Sequence, residues 1–196
     1  MDKATTERDI EVIDLEGKDL TFHSGSVKLE LRKYWDREHI NKVIERIENP
    51  RDKMFAIFMW MSGVRITEAI SLTKEKINFR DYMMTVKWLK SRKYHERVVP
   101  LHPTLKSVLE VYTGMMKAED RVFPFSRQRG WQLIKKHFNG HPHQMRHSFA
   151  VNWLRCGGDI VTLHRILGHS KLQTTMEYLK LVPIDQAKEL IKIKFT

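Results

Sequence analysis

The chain has 196 residues, a formal net charge of +11 at pH 7 and a single cysteine, Cys156. This length suffices for one domain with a buried core, and a lone cysteine excludes an intrachain disulfide, and with it the class of small disulfide-stabilised secreted proteins. The surplus of basic residues favours a polyanionic partner such as double-stranded DNA, although a basic ribosomal or membrane-surface protein would share it.

The N-terminal residues 1–33 are polar and weakly patterned. They predict an N-terminal arm or linker, with at most a short strand and turn. The first residues lack the apolar segment of a signal peptide, and the longest apolar run, residues 54–61, is far shorter than the ~18 residues that a membrane span needs. We therefore expect a soluble, cytoplasmic protein.

From residue 34 onward the apolar residues follow a helical period. Asp36 is a typical N-cap for a helix that ends at Asn49-Pro50. A second helix over residues 51–62 is apolar around most of its circumference, which predicts a position at the centre of the core. Gly63 ends that helix.

Arg65 begins a short third helix, in which Glu68 lies one turn further on. A carboxylate at this spacing can hold the guanidinium group by a charge-assisted hydrogen bond, so that the remaining N–H donors face outward. A surface ion pair of little energetic consequence is the alternative.

The pattern then changes to three short strands over residues 76–79, 83–89 and 96–101. Their short links predict an antiparallel sheet. The second link, residues 90–95, carries Lys90, Arg92 and Lys93, so a hairpin tip would present a cluster of cations to DNA phosphates. For Arg92 or Lys93 taken singly, a solvated basic turn is the alternative.

After Pro100 the pattern is helical to the end of the chain, with predicted helices over residues 103–117, 126–138, 142–156, 159–167, 172–179 and 184–194. The predicted fold is therefore α+β and mostly helical, with a small three-stranded antiparallel sheet against one side. The last helix is amphipathic, and it could pack on its own domain or on a neighbouring protomer.

His143 and Arg146 stand three residues apart in one predicted helix, so both side chains can reach one anion. Phosphate is the natural target, because arginine offers a fork of donors and histidine a donor that can also move a proton. The spacing of His143 and His147, with His137 and His141 nearby, could indicate zinc, but no cysteine accompanies them. We expect no metal site.

Three segments together resemble the catalytic domain of the tyrosine recombinases, the integrase and Xer-type family. Residues 62–72 resemble its first arginine box, residues 143–150 its second, and residues 167–170 followed by 174–178 its closing box. The likeness implies that residues 34–196 form a tyrosine recombinase catalytic domain. Family members usually carry a separate helical DNA-binding domain before it, and residues 1–33 cannot supply one.

The resemblance implies metal-free and cofactor-free strand cleavage. Tyr178 would be the nucleophile that forms a 3′-phosphotyrosyl bond, while Arg65 and Arg146 would bind the non-bridging phosphate oxygens. Lys90 would be the general acid, with Lys93 as its rival and Lys87 further back in the strand. Among the remaining site residues, proton transfer is implied for His143, a hydrogen bond to the phosphate for His169, and an orienting role for Glu68.

The implied activity is that of a site-specific DNA recombinase or integrase that acts as a tetramer on double-stranded DNA. Relaxation of DNA in the manner of type IB topoisomerases is an alternative, because that reaction uses the same array. A non-catalytic DNA-binding protein that retains the fold is another. The chain could be a catalytic fragment of a longer recombinase, a minimal enzyme, or a protein that relies on an accessory DNA-binding protein for part of its grip on DNA.

Overall fold

The computed structural model describes residues 34–90 and 93–182, and at residues 89, 90, 93 and 94 it describes the backbone alone. The described part of the chain forms eight α-helices, three β-strands and two short 3₁₀ helices. In chain order they are α1 (Arg37–Glu45), α2 (Pro50–Ser62), α3 (Ile66–Ser71), the 3₁₀ helix Lys74–Lys76, β1 (Ile77–Asn78), β2 (Met83–Lys90), β3 (Lys93–Pro100), α4 (Pro103–Thr113), α5 (Arg127–Phe138), α6 (Pro142–Arg155), α7 (Ile160–Leu167), α8 (Leu172–Met176) and the 3₁₀ helix Glu177–Leu181. The predicted arm over residues 1–33, residue Arg92 and the predicted helix over residues 184–194 lie outside the described residues.

The first two helices begin where the sequence predicts. The Asp36 carboxylate accepts from the backbone N–H of His39 at 2.7 Å and caps α1. Asn49 caps α2 by accepting from two N–H groups of its first turn, and Pro50 occupies the first helical position, where no N–H is needed. The predicted cap of α1 and the predicted start of α2 near Pro50 are confirmed, but α1 ends at Glu45, before the predicted end at Asn49-Pro50.

Helix α2 lies at the centre of the core, as its apolar circumference predicts. Phe55 and Phe58 are fully buried, and both rings pack against Phe123, at centroid distances of 5.2 and 5.0 Å. Full burial of such a side chain stabilises the fold by roughly 1.5–3 kcal/mol. The central helix therefore gives the elements around it a rigid support.

The sheet has the order β1-β2-β3 with antiparallel pairing throughout, which confirms the predicted α+β class. The predicted six-residue link at 90–95 is wrong, because β2 continues to Lys90 and β3 starts at Lys93, with these two residues in register. Cross-strand contacts favour the longer strands: Trp88 stacks on His95 at 5.3 Å. Lys90 and Lys93 thus belong to paired strands instead of a loose loop.

Two helix ends also differ from the prediction. Helix α4 ends at Thr113 instead of residue 117. The predicted helix over 172–179 divides into α8 and the 3₁₀ helix Glu177–Leu181, which carries Tyr178. Among the helices that the structure describes, none combines the length and apolar character required to cross a membrane.

Candidate active site

Arg65 is fixed at the start of α3 by the turn before it and the carboxylate after it. Gly63 ends α2 with a φ of 62°, in the left-handed region that glycine adopts at little cost. The backbone N–H of Arg65 donates to Glu68 Oε2 at 2.6 Å, and its Nη1 donates to Glu68 Oε1 at 3.1 Å. The carboxylate therefore holds both the backbone and the side chain of Arg65.

Glu68 is fully buried and has a second cationic partner that the sequence did not single out. Arg97 of β3 donates from Nη1 to Glu68 Oε1, and from Nη2 to Oε2 at 2.9 Å. Burial by itself would raise the pKa of Glu68, but the hydrogen bonds and charge of Arg97, with those of Arg65, hold it below its ordinary value. The surface ion pair considered for Arg65 and Glu68 is therefore wrong: the carboxylate lies in the interior.

Arg97 was missed by the sequence reasoning, although a signal for it exists. Side chains alternate along a strand, so Arg97 shares a face with Val99, which is fully buried. An arginine on a buried strand face needs a partner. It donates from Nε to the carbonyl of Ile166 at 2.9 Å, so Arg97 also connects the sheet to α7.

Arg146 is only 3 % exposed and lies beside Arg65. Its Nη1 donates to the carbonyl of Gly63 at 2.8 Å, and its Nη2 donates to the carbonyl of Leu167. Burial, followed by the charge of Arg65, lowers the pKa of Arg146 to about 9. The guanidinium group thus remains cationic at neutral pH.

The sequence suggested that the remaining donors of Arg65 face outward, but not all of them do. Its Nη1 also points to the carbonyl of Leu167 and its Nη2 to that of Gly168, each at 3.4 Å. These distances are longer than an ordinary N–H···O bond, and the Arg65 side chain is 29 % exposed. Arg65 can therefore exchange these weak contacts for an anion, whereas Arg146 is built into the interior.

His169 directly follows Leu167 and Gly168, whose carbonyls contact Arg65, and its ring lies near Tyr178. The two rings are nearly parallel, with centroids 6.4 Å apart. His169 Nδ1 contacts the hydroxyl of Thr175 at 2.9 Å, and His164 Nδ1 contacts the same hydroxyl at 3.1 Å. Burial, followed by the charges of Arg146 and Arg65, lowers the pKa of His169 to about 3, so its ring is neutral at physiological pH.

Tyr178 is 3 % exposed, and its hydroxyl lies 2.6 Å from Nδ1 of His147. Burial raises the pKa of Tyr178 above its ordinary value. Burial, followed by the charges of His143 and Arg146, lowers the pKa of His147 to about 4. The sequence reasoning considered His147 only as a metal ligand; its position next to Arg146 was the available signal.

The other predicted site residues are less closely grouped. His143 is exposed, with its ring centroid 6.3 Å from that of His141; desolvation and then the charge of Arg146 lower its pKa. Lys90 and Lys93 face each other across the end of the hairpin by backbone register. Lys87 forms a salt bridge with Glu96 at 3.1 Å, which weighs against it as the acid. Among the described residues, no three His, Cys, Asp or Glu side chains are arranged to hold a metal ion.

The site therefore brings two arginines, a buried carboxylate, a neutral histidine and a phenol to the C-terminal end of α7. Cationic side chains near a helix C-terminus are favoured by its partial negative charge. Arg65 and Arg146 offer paired donors to an anion, and a neutral histidine and a phenol lie beside it. Such an arrangement suits nucleophilic attack by a phenol on a phosphodiester.

Known proteins resemble this chain in sequence and in structure. The sequence model of the phage integrase family matches residues 33–183. Tyrosine recombinase XerA of Pyrococcus horikoshii is 32% identical over 165 residues, which cover 76% of this chain and 57% of the relative. The chain thus spans little more than half the length of this curated relative.

Two solved structures share the fold. The catalytic domain of bacteriophage HP1 integrase superposes with a TM-score of 0.61 at 23% identity, covering 81% of this chain and 94% of that domain. XerH site-specific recombinase bound to difH substrate, in a pre-cleavage complex, superposes with a TM-score of 0.57 at 19% identity, covering 92% of this chain and 59% of XerH.

Proposed function

Because this chain belongs to the phage integrase family, we propose that it is a site-specific DNA recombinase that cleaves and rejoins strands through a covalent 3′-phosphotyrosine intermediate. The likeness to the HP1 integrase catalytic domain confirms the fold that the sequence resemblance implied. We further propose that residues 34–196 form the catalytic domain and residues 1–33 an arm or linker.

The convergence of Arg65 and Arg146 on one backbone position carries this proposal. Both side chains donate to the carbonyl of Leu167, although two like charges repel each other in a partly buried site. A phosphodiester placed between them would offset that repulsion and accept from both forks. His169 follows Leu167 and Gly168 in the chain and its ring lies beside that of Tyr178, whose hydroxyl is near enough to Arg146 for their charges to interact.

The cleavage step divides among the side chains of the site. The Tyr178 oxygen attacks phosphorus, forming the Tyr–O–P bond as the P–O5′ bond breaks. Arg65 and Arg146 stabilise the charge on the non-bridging oxygens, and loss of one such donor costs roughly 2.7–4 kcal/mol of transition-state stabilisation. His169 donates a hydrogen bond to the phosphate, and Glu68 orients Arg65.

The leaving O5′ takes a proton from a general acid, for which we propose Lys90, the last residue of β2. Lys93, its partner in register, is the rival, and Arg92 and Lys93 would add contacts to DNA phosphates. His143, an exposed residue on the first turn of α6, would assist proton transfer.

Double-stranded DNA is the proposed substrate, and we propose that the protein acts as a homotetramer on it. XerH, a structural neighbour, is bound to its difH substrate in the solved complex. A net charge of +11 supports a DNA partner, which would also associate the protein with the nucleoid. An accessory DNA-binding protein or a further domain would add to the grip on the duplex.

The test is recovery of a covalent adduct. The full chain is incubated with nicked duplexes of random sequence, and protein–DNA adducts are separated on a denaturing gel and their DNA sequenced. We expect adducts enriched in one sequence, formed by the natural chain and not by Tyr178→Phe. Tyr112→Phe, at a half-buried tyrosine of α4, is the control and should form the adduct.

Other results would select the alternatives. Adducts without sequence enrichment, together with relaxation of supercoiled DNA, would indicate a topoisomerase-like activity. DNA binding without any adduct would indicate a non-catalytic DNA-binding protein, and either result would overturn the recombinase proposal.

A further inference from the structure

We infer that His147 is a catalytic residue that accepts the phenolic proton of Tyr178 during strand cleavage. This inference rests on the proposed function, because it assigns the proton that the nucleophile of that reaction must lose. It concerns a histidine to which neither the recombinase resemblance nor the arginine pair assigned a role.

The contact between the two groups has the geometry of a proton transfer. His147 Nδ1 lies 2.6 Å from the Tyr178 hydroxyl, within the 2.6–3.2 Å range (roughly) that general-base catalysis requires. A phenol is protonated at neutral pH, because its ordinary pKa is about 10 and burial raises that of Tyr178. The phenol therefore has a proton to donate, and an unprotonated Nδ1 can accept it.

The surroundings keep the His147 ring neutral before DNA binds, so in the tautomer protonated at Nε2 its Nδ1 is free to accept the phenolic proton. Charged or titratable groups that act on His147 include His143 and Arg146 of its own helix and His141 at the N-cap of that helix, and His169 and Tyr178 lie on the segments packed against it. Burial is the largest cause, and with the charges of His143, Arg146 and His141 it lowers the pKa of His147 to about 4. A bound phosphodiester anion would offset the charge of Arg146 and so strengthen the base when the reaction needs it.

His169, the other histidine next to Tyr178, is less suited to this role. Its Nδ1 is engaged with the hydroxyl of Thr175 at 2.9 Å, and its ring lies parallel to the tyrosine ring, at an interplanar angle of 14°. The Tyr178 hydroxyl makes its contact with His147 Nδ1 at 2.6 Å instead. His169 thus remains available to donate to the phosphate.

The proton balance of the cycle is complete with His147 included. As the bond from the Tyr178 oxygen to phosphorus forms, the phenolic proton moves to His147 Nδ1, and the breaking P–O5′ bond leaves its electron pair on O5′, which takes a proton from the general acid. In the rejoining step O5′–H attacks the phosphotyrosine, its proton returns to the general acid, and His147 returns its proton to the departing phenolate.

The test distinguishes removal of the proton from Tyr178 from donation of a proton to the leaving O5′. Duplexes enriched by adduct recovery are prepared with the scissile O5′ replaced by sulfur, which departs as a thiolate without needing a proton. We expect His147→Asn to form adduct about 100-fold more slowly than the natural chain, with oxygen and sulfur leaving groups alike. Lys90→Ala should be slow with oxygen and restored by sulfur.

Two further variants keep the result interpretable. His39→Asn replaces an exposed histidine of α1 and should cleave at the natural rate. His147→Ala leaves room for a small base, and added imidazole should restore its adduct formation, whereas a histidine with a merely structural role would not be replaced in this way. Thermal melting checks that each variant is folded.

Cleavage by His147→Asn at the natural rate or faster would overturn the inference, because the contact would then only hold the Tyr178 side chain in place in the free protein. Rescue of His147→Asn by sulfur would also overturn it, since His147 would then act on the leaving group. Failure of the natural chain to form any adduct would instead overturn the proposed function on which the inference depends.

Discussion

Arg65 and Arg146 donate hydrogen bonds to the same backbone oxygen, the carbonyl of Leu167. Their charges are balanced unequally. Glu68, which is fully buried, pairs with Arg65, whereas the acceptors of Arg146 are the carbonyls of Gly63 and Leu167. The site therefore holds a cation ready for an anion, and the following predictions test that arrangement and the contacts that support it.

Inorganic phosphate should stabilise the folded protein, because an anion between the two arginines binds the native state alone. At constant ionic strength we expect the melting temperature to rise when chloride is replaced by phosphate. Arg65→Gln should lose this rise. Arg155→Gln, at an exposed arginine of the same helix as Arg146, should retain it; loss in both variants would indicate general charge screening.

Arg146→Lys should slow adduct formation by about 100-fold or more, the loss that removal of one preorganised donor causes. Lysine cannot donate to Gly63, to Leu167 and to a phosphate from a planar fork. Single-turnover cleavage of the enriched nicked duplex measures the effect, and binding of the same duplex checks that DNA affinity persists. A natural cleavage rate in this variant would contradict a role for Arg146 in the transition state.

Arg97→Met should destabilise the fold by roughly 3–5 kcal/mol, because it removes one partner of a buried ion pair and leaves Glu68 undercompensated. Urea unfolding measures the change. Glu96→Gln, which breaks the exposed pair with Lys87 on the same hairpin, should change stability by less than about 1 kcal/mol. Equal effects of the two variants would show that the burial of Glu68 has no energetic weight.

Stability should fall as the pH drops from about 6.5, the ordinary histidine pKa. Burial lowers the pKa of His147 to about 4 and that of His169 to about 3. Between these values and 6.5 the unfolded chain binds protons that the folded chain does not, so the free energy of unfolding is highest above this window and decreases as the pH falls through it.

Urea unfolding at a series of pH values measures this dependence. Because one pKa unit corresponds to about 1.4 kcal/mol, His147 contributes at most about 3 kcal/mol. His147→Asn should reduce the slope between pH 6.5 and 4. An unchanged free energy of unfolding across this range in the natural chain would contradict the prediction.

Tyr178 should resist nitration in the free protein. Tetranitromethane reacts with phenolate, and burial both raises the pKa of Tyr178 and shields its ring. Tyr82, which is 43% exposed, is an internal reference, and we expect Tyr178 to be modified more slowly than Tyr82. Peptide mapping by mass spectrometry distinguishes the two, and equal rates would contradict the buried position.

The local features of the fold could be read from the sequence because short-range chemistry decides them. Asp36, Asn49 and Gly63 have the side chains or backbone freedom that helix ends require, and the structure has helix ends at all three. The hairpin was misjudged at residues 90–95, because basic residues resemble a loop until the pairing of Trp88 with His95 extends both strands.

The sequence by itself predicted a phosphate ligand from the spacing of His143 and Arg146, and its resemblance to the tyrosine recombinases implied site roles for Arg65, His169 and Tyr178. Only the tertiary structure decided that Arg97 joins Glu68 in the interior and that His147 faces the Tyr178 hydroxyl. These contacts join helices and strands far apart in the chain, and their geometry depends on how α6, α7 and the sheet pack together. Local periodicity assigns a residue to a helix or strand, but burial and the partner it meets there depend on that packing.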